Sequence, residues 1–268
     1  LGDWSSDVCS SDLGGTEMLK EAMYKRHSRR SYLREKLRDE DAAFLKERIH
    51  MYNQKHGLHM KLVCGHPEIF KGFRNSYGMF HNVENFIMMM GNSRDVYMQE
   101  KLGYFGERLI LEAVARNLGT CWVGGTFAKA ALKPYVKEGE KLYCVIAIGY
   151  TAHKKTLKEQ LISHASRRRG KTVEEMSDIT AHSPDWMKNG MEAVQLAPSA
   201  LFKQPVRFRQ EQNRVYAEVA HTDSFEMVDL GIAMLHFEIG AQEGTWTWGN
   251  PAVYEKKQTD ENSVAYSS

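Results

Sequence analysis

The sequence is poor in the features that mark disulfide-rich, membrane and nucleic-acid-binding proteins. Its four cysteines, Cys9, Cys64, Cys121 and Cys144, form no Cys-x-x-Cys pair, which argues against a disulfide framework or a zinc site. No apolar run approaches the roughly 20 residues that a membrane span needs. The formal net charge is +2, so the overall balance gives no reason to expect a nucleic-acid partner. We expect a soluble, cytoplasmic chain without a membrane partner, in which the last three cysteines are small buried residues.

Several enzyme signatures are also missing. The eleven histidines show no His-x-x-x-His or His-Glu-x-x-His spacing, so no metal site is expected. No Gly-x-Gly-x-x-Gly segment follows a predicted strand, which leaves a Rossmann nicotinamide site unsupported. No nucleophile-elbow motif supports a Ser-His-Asp hydrolase. The sequence therefore predicts no catalytic side chain of these kinds.

Local composition predicts how the chain is organised. Residues 3–13 resemble a translated sequencing adapter, and the sequence does not begin with Met, so residues 1–15 are predicted to be a non-native leader. Residues 16–150 are predicted to form a first half, and the polar, basic residues 151–182 a linker. Residues 183–255 would form a second, degenerate half, followed by a tail over 256–268.

Apolar periodicity predicts the same kinds of element in both halves. Helices are expected over 18–25, from Asp39 or Asp41 to Gly57 with Ala43 facing inward, over 104–118 with Gly119 as C-terminal cap, from Ser183 as N-cap, and over 229–243. Strands are expected over 59–64, 83–90, 142–148, 206–208 and 215–219.

One pattern occurs twice in the chain. It consists of a Gly, a helix body of twelve residues, a Gly-Thr pair and a Trp within the next two positions. The first copy begins at Gly106 and the second at Gly231, and the downstream residues Gly124 and Gly249 superpose without a gap. The sequence therefore predicts an internal repeat.

Two short segments could carry chemistry. The run from Arg26 to Tyr32 has the form Arg-x-Ser-x-Arg-x-Tyr, and converging arginines with a hydroxyl suit a phosphate monoester. The segment from Ala197 to Phe208 contains Pro198 and Ser199, with exposed amides and hydroxyls of the kind that a flavin ring needs. Taken alone, the first is also typical of a solvated basic turn and the second of a helix-to-strand connection.

Together the two motifs resemble those of the nitroreductase family, over roughly residues 18–250. The resemblance implies an α+β fold with mainly antiparallel sheets flanked by long helices, and an FMN cofactor. It implies an enzyme that oxidises NAD(P)H and reduces nitroaromatics, quinones or similar electron-poor acceptors by a ping-pong hydride transfer. In family homodimers each flavin lies at the subunit interface, between an Arg-x-Ser motif and a Pro-Ser motif.

Here each motif occurs once and in opposite halves, so the chain resembles a fused pseudo-dimer of the single-chain TM-type branch. We expect a monomer with one complete FMN site and a degenerate symmetry mate. By the resemblance, the cofactor would be bound by Arg26, His27, Ser28, Arg30, Val123, Gly124, Gly125, Arg168, Arg169, Lys171, Pro198, Ser199 and Ala200. Because the flavin carries the chemistry, no catalytic residue is predicted.

The sequence departs from the family pattern at two positions. Phe202 stands where the family usually has Asn, and Val206 where it has Trp, which predicts a more apolar acceptor pocket. A flavin-binding or sensing homologue without turnover therefore remains an alternative. Nucleic-acid binding by the basic clusters over 25–34 and 167–171 is a second alternative, disfavoured by the near-neutral charge.

Overall fold

The computed structural model describes residues 12–70, 80–152 and 170–257. In these ranges the spacing of the apolar residues distinguishes helices from strands. The N-terminal half contains α1 (Asp12–Lys25), α2 (Asp39–His56), β1 (Lys61–Cys64), β2 (Asn85–Asn92), α3 (Met98–Ala115), β3 (Gly119–Val123) and β4 (Glu140–Gly149). The C-terminal half contains α4 (Val173–Met176), α5 (Asp185–Val194), β5 (Arg207–Glu211), β6 (Arg214–Glu218), α6 (Glu226–Ala241), β7 (Gly244–Thr247) and β8 (Ala252–Lys256). Short 3-10 turns are formed by Pro67–Phe70, Lys129–Tyr135 and Ala200–Phe202.

The strands form two antiparallel sheets whose strand orders match. The N-terminal sheet has the order β1-β2-β4-β3 and the C-terminal sheet the order β5-β6-β8-β7. Strands β2 and β4 are central and almost wholly buried, which explains their uninterrupted apolar runs. The predicted α+β fold, with mainly antiparallel sheets flanked by long helices, is confirmed.

Helices α3 and α6 pack directly against each other and join the two halves in one core. A Cβ atom at Gly103 would collide with the carbonyl oxygen of Val228, and one at Gly231 with the carbonyl oxygen of Glu100. The two glycines therefore let the helix backbones approach more closely than any other residue would allow. No helix within the described ranges combines the length and apolar character needed to cross a membrane.

Two predictions about the first helices differ from the structure. Helix α1 begins at Asp12 rather than at residue 18. Helix α2 buries Asp41, whose carboxylate accepts hydrogen bonds from Arg116 Nε at 2.9 Å and from the Tyr150 hydroxyl at 2.6 Å. These polar contacts set the inward face, and Ala43, predicted to point inward, is exposed.

Two predicted helix caps are wrong. Helix α3 ends at Ala115, the left-handed residue after it is Asn117 (φ 63°), and Gly119 opens strand β3. Pro184, rather than Ser183, occupies the N-cap of α5, because the Ser183 hydroxyl donates to Gln210 Oε1 at 2.7 Å. A Gly-Thr pair can end a helix or begin a strand, so the sequence alone does not distinguish a C-terminal cap at Gly119 from the start of β3.

The cysteines follow the prediction at two of the three described positions. Cys121 and Cys144 are buried, whereas Cys64 is exposed. Cys64 is the last residue of the edge strand β1, and the alternation of the strand turns Val63 inward and Cys64 outward.

Candidate functional site

The Arg-x-Ser segment leaves α1 and runs along the edge of the N-terminal sheet. Ser28 forms a parallel bridge with Thr120 of β3, and the Arg29 amide donates to the Thr120 carbonyl at 2.8 Å. Arg30 Nη1 lies 3.5 Å from the Ser28 carbonyl oxygen. Tyr32 is buried, with its hydroxyl 2.8 Å from the Arg29 carbonyl oxygen. The pairing fixes the backbone, while residues 26–30, His27 included, remain half-buried.

The end of strand β3 brings two glycines to the surface beside this segment. Val123 is buried, and Gly124 and Gly125 are exposed. A Cβ atom at Gly124 would lie 3.1 Å from the ring of Phe225, whereas one at Gly125 would meet nothing within 4 Å. Space is therefore open next to the backbone at Gly125.

The Pro-Ser segment follows α5 in the C-terminal half. The Ala200 amide donates to both carboxylate oxygens of Asp229, at 3.0 and 3.2 Å, and the Gln204 amide donates to Ser199 Oγ at 2.8 Å. Leu201, just beyond, has a φ of 52°. A left-handed backbone at a residue with a large side chain is strained, and such strain tends to occur at functional sites.

The end of β3 and the Pro-Ser segment meet at the beginning of α6. Trp122 of β3 packs against a small apolar cluster formed by Ala197, Val228 and Ile232, which belong to the C-terminal half. Ala197 directly precedes Pro198. The end of β3 and the Pro-Ser segment, which lie far apart in sequence, are thus held against the same helix.

A buried carboxylate lies behind this junction. Glu107 of α3 is fully buried, and its Oε2 accepts a hydrogen bond from Trp122 Nε1 at 2.8 Å. Its Oε1 lies 3.1 Å from His236 Nε2 of α6 and 3.6 Å from Arg26 Nε. Burial alone would raise the pKa of Glu107, but the His236 hydrogen bond and the Arg26 charge lower it instead.

A second buried carboxylate supports the Pro-Ser segment. Asp229 lies in the first turns of α6, and burial raises its pKa to about 7, although the Ala200 hydrogen bond opposes this. Neither Asp229 nor Glu107 is among the predicted site residues. A signal was present, because both acids lie between apolar residues of a long helix, and a buried acid needs a partner.

The predicted basic residues after β4 are only partly described. Arg168 and Arg169 lie outside the described residues. Lys171 contacts the Pro-Ser segment: its amide donates to Gln204 Oε1 at 2.7 Å, and its Nζ donates to the Gln204 carbonyl oxygen at 2.8 Å. In this structure the Lys171 ammonium therefore anchors that segment, and its role as a cofactor ligand stays a prediction.

A second niche lies at Gly249, which the repeat register matches with Gly124. The Gly249 amide donates to Glu100 Oε1 at 2.7 Å, and Glu100 is fully buried. Its Oε2 is buried without a hydrogen-bond partner in the described part of the chain. Burial raises the pKa of Glu100 to about 8. Trp248 packs edge-on against Tyr104, with ring centroids 5.6 Å apart, so this niche is closed.

The sequence matches the model of a protein family described as "Putative TM nitroreductase" over residues 18–241. Because the match covers most of the chain, the chain belongs to this family, and the resemblance inferred from the two motifs is confirmed. The family is one of FMN-dependent oxidoreductases.

The chain is similar to several solved structures, one of which shows the same fold. A putative nitroreductase from Thermotoga maritima MSB8 has a TM-score of 0.60 and 18% identity, covering 95% of this chain and 97% of that chain. A nitroreductase with bound FMN from Bacteroides fragilis NCTC 9343 has a TM-score of 0.41 and 16% identity, covering 62% and 96%. A putative NADH dehydrogenase/NAD(P)H nitroreductase from Bacteroides thetaiotaomicron VPI-5482 has a TM-score of 0.43 and 19% identity, covering 52% and 89%. The fold assignment rests on the Thermotoga maritima structure. No curated protein matches the chain.

Proposed function

We propose that the chain is an FMN-dependent oxidoreductase that uses NAD(P)H to reduce nitroaromatics, quinones or similar electron-poor acceptors. One observation carries this proposal. The Arg-x-Ser segment pairs with β3, and the end of β3 and the Pro-Ser segment, which come from different halves, both contact the beginning of α6. This is the arrangement that the family resemblance implies for a flavin at the junction of two halves.

The residues at the junction fit the chemistry of FMN. Arg26, Ser28 and Arg30 supply cationic and hydroxyl donors of the kind that bind a phosphate monoester. The backbone at Gly125 faces open space, so a planar ring could approach its amide. Arg26 Nε is buried and lies 3.6 Å from Glu107 Oε1, so this edge of the guanidinium is engaged and the two Nη groups would bind the phosphate. When bound, FMN would supply the two-electron redox chemistry.

The matching sheet orders support a fused pseudo-dimer. Strands β1 to β4 and β5 to β8 occupy corresponding positions, and α3 and α6 precede corresponding strands. The repeat register of Gly119 and Gly244 coincides with the starts of β3 and β7. We infer a monomer with one FMN site, whose halves approximate residues 16–150 and 183–255.

Apolar side chains near the Pro-Ser segment favour aromatic acceptors. The Phe225 ring is 38% exposed and covers Gly124, and Leu201 is 90% exposed. Phe202 is half-buried in the same segment. A quinone fits such a surface: NAD(P)H gives up two electrons and one proton, a second proton comes from water, and hydroquinone is released. NAD(P)H and the acceptor would use the same face in turn, as a ping-pong sequence requires.

Absorbance and stopped-flow spectroscopy test the proposal. The protein should be yellow or bind added FMN, and NADH or NADPH should bleach the flavin band within one turnover. Added quinone should then restore it, and initial rates should give parallel double-reciprocal lines. Arg26→Ala should bind FMN much more weakly and lose it during purification, whereas Lys25→Ala, which removes an exposed cation paired with Glu21, should retain it.

Two results would count against the proposal in different ways. A colourless protein that takes up no FMN would refute the cofactor assignment. A protein that binds FMN but is not bleached by either nucleotide would instead be the sensing homologue without turnover.

A further inference from the structure

Glu107 has an unusual set of partners for a fully buried carboxylate. A buried ionised carboxylate is stable only when charges and hydrogen bonds replace its water. Three elements supply these partners to Glu107: Arg26 from the end of α1, Trp122 from β3 and His236 from α6. The carboxylate therefore joins the Arg-x-Ser segment, the N-terminal sheet and the C-terminal half at one point.

His236 adds a partner from the C-terminal half. Its Nε2 faces the Glu107 carboxylate, and its Nδ1 lies 3.1 Å from the carbonyl oxygen of Ala193 in α5. The ring is thus fixed between two hydrogen-bonding groups. Glu107 is shared between Arg26 from one half and His236 from the other, so neither side chain can shift without disturbing the other.

The contact with Arg26 engages one edge of the guanidinium. Glu107 Oε1 faces Arg26 Nε, and the Arg26 side chain is 12% exposed. An arginine held at Nε can still present its two Nη groups as a fork to an anion. Fixing one edge reduces the side-chain entropy that phosphate binding would otherwise cost.

We propose that Glu107 is a positioning residue for the FMN site, which orients Arg26 and Trp122 and couples them to the C-terminal half through His236. This inference rests on the proposed function. Glu107 lies outside both motifs, and in this role it positions other residues without contacting the cofactor itself.

A neighbouring residue provides a matched control. Glu112 is also a nearly buried carboxylate of α3, but its partners are Arg48 at Nε (3.0 Å) and the Tyr52 hydroxyl (2.7 Å) of α2. Replacing either acid by Gln removes a buried charge from the same helix. Only Glu107→Gln removes a charge that lies next to Arg26.

The experiment measures the FMN dissociation constant of the full chain by fluorescence titration for the wild type, Glu107→Gln, Arg26→Ala, the double variant and Glu112→Gln. Glu107→Gln should weaken FMN binding about tenfold, in the range found when a supporting residue of a site is lost. Glu112→Gln should leave it within about twofold. Because Glu107 acts through Arg26, the double variant should bind about as weakly as Arg26→Ala alone. Because Glu107 accepts a hydrogen bond from Trp122, the tryptophan emission of the FMN-free protein should shift in Glu107→Gln and not in Glu112→Gln.

Each outcome decides between the two proposals. A wild-type chain that binds no FMN overturns both. Three outcomes would overturn the positioning role alone. They are normal FMN binding by Glu107→Gln, equal losses of FMN affinity in the two Gln variants, and effects of Glu107→Gln and Arg26→Ala that multiply in the double variant. Should Glu107→Gln fail to fold, His236→Gln replaces it, with weaker FMN binding expected and unchanged binding counting against the proposal.

Discussion

The niches at Gly124 and Gly249 occupy matching positions in the repeat but differ in what covers them. In the register that matches Gly106 with Gly231, Phe225 corresponds to Glu100. The Phe225 ring lies over Gly124 and is partly exposed, whereas the Glu100 carboxylate binds the Gly249 amide and is fully buried. The niche at Gly124 is thus the more open of the two, because a partly exposed ring covers it, and the niche at Gly249 is the closed one.

The closed niche is also filled by aromatic packing. Trp248 lies edge-on to Tyr104, and His56 stacks on Phe105 with ring centroids 3.8 Å apart. Burial lowers the pKa of His56 to about 4, so the ring is neutral near pH 7 and packs as an aromatic group. The comparison teaches that side-chain differences alone distinguish the two niches, while the two sheets keep the same strand order.

The largest expected effect concerns the helix crossing that both niches share. Gly103→Ala places a methyl group against the Val228 backbone, and Gly231→Ala places one against the Glu100 backbone. Backbone atoms cannot move aside as a flexible side chain can, so each variant should lose about 3 kcal/mol or more of unfolding free energy. Urea denaturation measures the loss. If both variants were as stable as the wild type, the described crossing would be wrong.

Glu100→Gln, in the closed niche, should increase the unfolding free energy of the protein at alkaline pH. The pKa of Glu100 is raised from 4.5 to about 8, so the folded state holds a proton that the unfolded state releases. Stability of the wild type therefore falls as pH rises from about 4.5 to about 8. The variant should be more stable by roughly 2–4 kcal/mol at pH 8 and by little at pH 4. Urea denaturation at both values checks this, and a pH-independent difference would contradict it. Glu138→Gln, at an exposed position, is the control.

Asp229→Asn should give the corresponding, smaller effect at the open niche. Burial raises the pKa of Asp229 from 3.8 to about 7, and the two hydrogen bonds from Ala200 offset part of the cost. Wild-type stability should fall between about pH 4 and 7, and the variant should recover about 1–3 kcal/mol at pH 7.5. Thermal melts of the variant and of the exposed control Asp223→Asn measure the difference. An identical pH profile for Asp229→Asn and the wild type would exclude the buried ionisation.

Gly125→Ala is the variant with the smallest expected effect on stability, and it distinguishes a loss of cofactor binding from a loss of folding. A Cβ atom at Gly125 meets nothing within 4 Å, so Gly125→Ala should change the unfolding free energy by less than about 0.5 kcal/mol. It should nevertheless weaken FMN binding about tenfold, because a methyl group would occupy the space next to the backbone. Paired melting and titration measurements test this. Unchanged FMN affinity would remove Gly125 from the site.

Local features of the sequence predicted much of the fold and the two segments of the candidate site. The Arg-x-Ser and Pro-Ser motifs are short and contiguous, and the runs at Met88 and Ile146 are apolar enough to identify the central strands. The contacts of Glu107 could not be predicted. They join α1, β3 and α6, and which residues meet there depends on how α3 crosses α6.

The stoichiometry of bound flavin tests the central claim most directly. FMN released from a known amount of purified, reconstituted protein should amount to one molecule per chain. Arg26→Ala in the N-terminal half and a Pro198→Gly, Ser199→Ala variant in the C-terminal half should each reduce it to none, because both act on one shared site. Two molecules per chain, or full occupancy in either variant, would contradict a single site shared between the halves.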